Sequence, residues 1–197
     1  IAMIRVGMMG GIGSGKSFIA KLFNYPVFNA DAQVRLIYRN DKDCYKKLKK
    51  KLPKFIKSFP ISKSELTFAI NKNSKNLKKI SSVVHPIVRK KMKNFLEKNK
   101  NHKMVILDIP LLIENKLNKK GDILVYVKSD KNTVLKRLKK RRNFNIKLIK
   151  SLRDNQDLLL KKRKLSNYTV ENNFSTNIMR KKIKILKEKI LYERNSS

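Results

Sequence analysis

The stretch Gly10-Gly11-Ile12-Gly13-Ser14-Gly15-Lys16-Ser17 constrains this chain more than any other feature. It fits the pattern Gly, four residues, Gly-Lys, then Ser or Thr. An apolar run from Ile4 to Met9 precedes it, and Phe18, Ile19, Leu22 and Phe23 follow at helical spacing. Strand, loop and helix are predicted in that order. Five of the six glycines in the chain fall between Gly7 and Gly15, so backbone freedom is concentrated at this loop. Glycine lets successive N–H groups turn toward one anion, and the helix that follows adds its positive end. The loop is therefore expected to wrap a polyphosphate such as that of ATP. Backbone groups from Gly11 through Gly15 and from Phe18 would line it, with Lys16 reaching the β- and γ-phosphates and the Ser17 hydroxyl on Mg²⁺. The alternative is a glycine-rich turn with no ligand.

The remaining pattern repeats the strand-to-helix step. A short apolar segment, Pro26 to Phe28, leads to Asn29 and Asp31, after which Val34, Ile37 and Tyr38 mark one face of a helix. From residue 43 to 101 no strand is predicted, only helical pieces broken at Pro53, Pro60 and the His85-Pro86 step, where proline suits a first helical turn. Val88, Met92, Phe95 and Leu96 stripe the last of these pieces. Two nearly continuous apolar runs, Met104 to Ile109 and Ile123 to Val127, read as parallel strands covered on both faces. Asp130 can cap a helix carrying Val134, Leu135 and Leu138, and a basic segment through Arg142 leads to another helix ending near Gln156. Tyr168 to Glu171 makes a fifth strand, and Met179, Ile183, Leu186 and Ile190 define a closing helix. Strands alternating with helices indicate an α/β fold with a parallel sheet.

At 197 residues the chain can bury one good core, and one domain elaborated by an insertion is expected. Its formal charge of +36 would suit a polyanionic partner such as nucleic acid. The excess is mostly lysine, mixed with asparagine and isoleucine as AT-rich codons would give, and it identifies no substrate. Cys44 is the single cysteine, so no internal disulfide can form. No secretory pattern leads the first apolar stretch, and no apolar run reaches about 18 residues. A cytoplasmic protein that does not span a membrane is expected.

Two carboxylates read two ways each. Asp31 follows the second predicted strand and so stands at the carboxyl edge of a parallel sheet, where it could take a proton from an acceptor hydroxyl. Equally, it could be the N-cap of the next helix. Asp108, at the end of the third strand, could hold Mg²⁺ through a water or satisfy nearby backbone.

The order and spacing of several motifs resemble those of dephospho-CoA kinases. They are Gly10 to Ser17, Asn29-Ala30-Asp31 with Arg35, His85-Pro86, Pro110-Leu111-Leu112 with Glu114, Arg137 and Arg141, Gln156, and Val170-Glu171-Asn172-Asn173. The resemblance covers nearly the whole chain. It implies transfer of the ATP γ-phosphoryl to the ribose 3′-hydroxyl of dephospho-CoA, with Asp31 as general base and Lys16, Arg137 and Arg141 stabilising the transferred group. Arg35, His85, Pro110, Leu111, Leu112 and Glu114 would meet the acceptor, Gln156 and Asn172 the adenine, and Ser17 with Asp108 the metal.

The resemblance also implies three parts. A core with a five-stranded sheet would comprise residues 1–42, 102–136 and 163–197, a helical CoA-binding region 43–101, and a small lid 137–162. A monomer is expected. Four positions depart from the family pattern: Met9 and Phe18 stand where threonine is usual, Asn29 replaces an aspartate, and Phe174 replaces a glycine. The rival readings are another small-molecule kinase, such as a nucleoside monophosphate kinase, and a nucleic-acid-binding ATPase.

Overall fold

The computed structural model describes residues 3–109, 118–140 and 161–195. The chain divides into two compact units, Ile1–Phe28 with Asn99–Ser197, and Asn29–Lys98. The helix that begins at Ala30 thus belongs with the helices that follow it.

The first unit is built on a parallel sheet in the order β2-β3-β1-β4-β5. Its strands are β1 (Ile4–Gly10), β2 (Val27–Asn29), β3 (Met104–Asp108), β4 (Ile123–Lys128) and β5 (Tyr168–Glu171). β3 is buried along its whole length, which is why its sequence is apolar without alternation. In register, Gly7 pairs with Leu107 on one side of β1 and with Leu124 on the other. Helices α1 (Lys16–Leu22) and α7 (Thr176–Asn195) pack against each other, with α6 (Lys131–Lys139) between β4 and β5 in the chain. Ile19, Ala20 and Phe23 meet Met179, Ile183 and Ile190 over Val6, Met8, Ile106 and Val127 to form one core. Removing a ring such as Phe23 from it would cost about 3–5 kcal/mol. The apolar spacing read from the last helix is the spacing that fills this core.

At the amino end of the sheet, Arg5 and Asp122 form a buried 3.1 Å ion pair. Burial raises the Asp122 carboxyl above its ordinary range, against the Lys119 N–H and the Arg5 charge, which lower it. This pair sits opposite the carboxyl ends of the strands and fastens β1 to the approach of β4.

The second unit comprises α2 (Ala30–Asn40), α3 (Lys42–Lys51), α4 (Lys63–Lys72) and α5 (Lys75–Lys98). The first three all pack on α5. Ile37, Cys44, Leu48, Leu66 and Ala69 are buried, as are Ile80, Val83, Val84 and Val88 on α5. Starts are set by side-chain caps: Asp41 accepts from Cys44 N at 2.8 Å, and Ser62 accepts from Ser64 N at 3.1 Å. Pro53 follows the end of α3, and Pro60 lies in the irregular stretch before Ser62, as expected.

The His85-Pro86 step departs from the expectation. Pro86 lies inside α5, which continues unbroken for 24 residues, so His85 starts no helix and caps none. Proline removes one backbone donor and crowds the preceding turn. Both Pro86 and His85 are exposed, however, so the loss falls on the solvent side while Val83, Val84 and Val88 hold the buried side continuous. Packing of that stripe outweighs the local preference for a break. Among the described residues no helix is long and apolar enough to cross a membrane.

Candidate active site

The glycine-rich loop joins β1 to α1, as the sequence predicts. Gly15 is the N-cap of α1 at φ 88°, a left-handed conformation costing roughly 1–2 kcal/mol for a residue with a Cβ. Among the described residues no side chain caps this end, and the first turn carries no acidic residue. Gly10 answers a different need: a Cβ there would come within 2.5 Å of the Val127 carbonyl oxygen on β4. Lys16, in the first turn of α1, folds back over the loop and donates to the Gly10 and Gly11 carbonyls at 3.0 and 2.9 Å. Its ammonium therefore stays with the loop rather than in solvent. The Ser14 hydroxyl is buried without a hydrogen-bond partner among the described residues. Phe18 packs its ring on the core, leaving only its backbone for the loop.

Neighbouring elements brace this loop. Ser129, just past β4, donates its hydroxyl to the Ser14 carbonyl at 2.8 Å, and Asn172, just past β5, donates Nδ2 to the same oxygen at 2.9 Å. The other half of the Asn172 amide accepts from Phe174 N at 2.8 Å, so both ends of this buried side chain bind protein backbone. Phe174 takes φ 63°, a left-handed conformation that favours glycine. Its ring reaches the N-cap, where Cε1 lies 2.8 Å from the position of a Cβ on Gly15. Arg137 on α6 stacks on this ring with Cζ 4.0 Å from the centroid. α6 begins, as expected, at Asp130, which accepts from Thr133 N at 2.8 Å and Thr133 Oγ1 at 3.0 Å. Those bonds hold the exposed Asp130 carboxyl below its ordinary range.

Asp108 ends β3 and is buried, and Ser17 is exposed in the first turn of α1. Leu107 pairs with Gly7, so Asp108 lies beside the last stretch of β1 before the loop. Among the described residues no three His, Cys, Asp or Glu side chains gather into a metal cage. One hydroxyl and one carboxylate are hard oxygen donors, a set that suits Mg²⁺, which takes few protein ligands and shares phosphate oxygens and water.

In the second unit, the N-cap of α2 is Asn29, whose Oδ1 accepts from Ala32 N at 2.7 Å. Asp31 is therefore not the cap. It is exposed in the first turn, with Arg35 one turn further along, also exposed. His85 is exposed on the middle of α5. Pro110, Leu111, Leu112, Glu114, Arg141 and Gln156 lie outside the described residues, as does most of the expected lid. Sequence reasoning missed Ser129, though a hydroxyl residue directly after a strand at the carboxyl edge is a detectable signal. The partnership of Phe174 with Arg137 had no signal beyond the missing glycine.

A family model described as dephospho-CoA kinase matches residues 4–177. A dephospho-CoA kinase from the Wolbachia of Brugia malayi is 32% identical over 175 residues, covering 86% of this chain and 89% of its own. One from Geobacillus kaustophilus is 31% identical over 178 residues, covering 86% and 88%. Among solved structures, TT1252 from Thermus thermophilus superposes with a TM-score of 0.77 at 25% identity, over 98% of each chain. A shikimate kinase from Acinetobacter baumannii shares the fold with a TM-score of 0.59 at 14% identity, over 97% of this chain and 94% of its own. With the phosphate loop, its braces and a match running through nearly all the strands and helices, the chain belongs to the dephospho-CoA kinase family.

Proposed function

We propose that this protein transfers the γ-phosphoryl of ATP to the ribose 3′-hydroxyl of dephospho-CoA, giving CoA and ADP. The observation that carries the reading is the loop itself: a left-handed glycine N-cap at the start of α1 and Lys16 folded over the turn, in a chain of this family. Backbone N–H groups from Gly11 to Ser17 hold the polyphosphate, and Lys16 turns its ammonium from the loop carbonyls to the β- and γ-oxygens. Ser17 and Asp108 would hold Mg²⁺, which would supply positive charge against the phosphate oxygens during transfer.

Asp31 accepts the proton of the 3′-hydroxyl as that oxygen attacks the γ-phosphorus in line. The bond from phosphorus to the β,γ-bridging oxygen breaks, and ADP leaves. Two facts support this role: Asp31 follows β2 by two residues, and Asn29 has taken the cap that would otherwise occupy its carboxylate. Arg35 sits one turn away to meet an acceptor phosphate. Arg137 and Arg141 stabilise charge on the equatorial oxygens as the 137–162 segment covers the nucleotide. His85, Pro110, Leu111, Leu112 and Glu114 meet the acceptor, with Gln156 near adenine. Asn172 acts through the Ser14 carbonyl and the Phe174 turn.

The lone cysteine, reduced and buried, fits the cytoplasm, and we read the enzyme as a monomer whose lysine excess draws in nucleotide phosphates rather than nucleic acid. ADP release with Mg-ATP is measured with dephospho-CoA, with AMP and without acceptor, and the product is weighed by mass spectrometry. Dephospho-CoA should alone drive turnover and gain one phosphoryl. Preference for AMP would overturn the acceptor, and equal ADP release without acceptor would make the protein an ATPase.

A further inference from the structure

Phe174 occupies a conformation that penalises every residue with a Cβ. A strained residue persists only where its surroundings hold it, and here they are specific. Asn172 Oδ1 fixes the Phe174 N–H at 2.8 Å, and the ring edge abuts Gly15, the N-cap of the phosphate loop. Arg137 lies on the ring at 4.0 Å, whereas the other four cation–ring contacts among the described residues are 5.5–5.7 Å. Arg137 is otherwise an exposed side chain on α6, a helix whose Val134 and Leu138 pack directly beneath Gly13 of the same loop. A free arginine there would sample many rotamers, and a guanidinium stacked on a fixed ring samples few.

We propose that Phe174 is a positioning residue that holds the Arg137 guanidinium beside the phosphate loop, so that Arg137 meets the bound nucleotide already oriented. A glycine at position 174 would relieve the backbone and leave Arg137 without a platform. The inference rests on the kinase reading above for the reaction, but the stacking arrangement stands on its own contacts.

The test is a double-mutant cycle on Phe174→Leu and Arg137→Ala, with Phe174→Tyr as the ring-retaining control and thermal melting to establish that each variant is folded. Phe174→Leu should lower kcat/KM for ATP roughly tenfold, chiefly through kcat if the arginine acts on the transferring group. Phe174→Tyr should restore it to within about threefold. In the Arg137→Ala background, Phe174→Leu should have almost no further effect. Multiplying losses, or a Phe174→Leu variant that matches wild type, would overturn the proposal. If wild type fails to phosphorylate dephospho-CoA, the kinase reading falls by that result alone. The cycle is then read on Mg-ATP affinity by calorimetry, where the same non-additivity supports the stacking role and additivity overturns it.

Discussion

Asn172 is the most instructive side chain to change, because one buried amide makes two opposed demands. Its Nδ2 donates to the Ser14 carbonyl and its Oδ1 accepts from Phe174 N. Asn172→Ala removes both bonds, each worth about 0.5–1.5 kcal/mol. The Ser14 oxygen keeps Ser129 as a donor, so most of the penalty falls on the Phe174 N–H. Against this, Phe174 can relax from φ 63°, returning roughly 1 kcal/mol. The net loss is up to about 2 kcal/mol, which at a slope of about 2 kcal/mol/M lowers the urea midpoint by up to about 1 M. Asn172→Asp keeps the bond to Phe174 but turns an acceptor toward the Ser14 carbonyl and adds a negative charge beside the phosphate loop. At an effective dielectric near 20, each pair of like unit charges about 10 Å apart repels by roughly 1.7 kcal/mol. Mg-ATP should therefore bind Asn172→Asp at least tenfold more weakly than Asn172→Ala. Urea titration and calorimetry measure the two effects. Equal ATP affinity in the two variants, or a raised midpoint for Asn172→Ala, would refute the bracing role.

Three further outcomes follow from the packing. Burial, with a smaller effect from the Asp41 charge, pushes the Cys44 thiol up to about 11, so native protein at pH 8 should react with a disulfide reagent about 100-fold more slowly than unfolded chain. Asp130 is held below its ordinary pKa by the bonds from Thr133, so its contribution to stability is present above pH 3.8 and lost as pH falls through the folded value. Melting temperatures from pH 7 to pH 3 should show wild type losing ground to Asp130→Asn only in acid. Pro86→Ala restores a donor inside α5, and a raised urea midpoint is expected; a lowered one would mean that the helix depends on its proline.

Legibility in the sequence followed how many independent demands each residue meets. The first strand, loop and helix were readable because glycine spacing dictates backbone geometry directly, and the buried strands because parallel strands lose polar alternation. The continuity of α5 was not readable, since a local rule about proline competes with an apolar stripe whose packing partners, α2, α3 and α4, are set by tertiary structure. Asp31 could equally be read as the cap of the next helix, and the local sequence left that open. The 2.7 Å bond from Ala32 N decides it. Resemblance singled out Asn172 as an expected adenine contact, whereas its bracing of Ser14 depends on a contact between residues 158 apart. The stack of Arg137 on Phe174 likewise joins α6 to the turn after β5, which no local pattern reports.

Asp31 is proposed to act as a base, and single-turnover transfer by Asp31→Asn measures this most directly. With Mg-ATP prebound and dephospho-CoA added, the variant should transfer phosphoryl at least about 100-fold more slowly than wild type. It should bind Mg-ATP equally well and melt at the same temperature, because Asn29 keeps the cap of α2. A transfer rate equal to wild type, or a drop that matches a loss of folded protein, would contradict it.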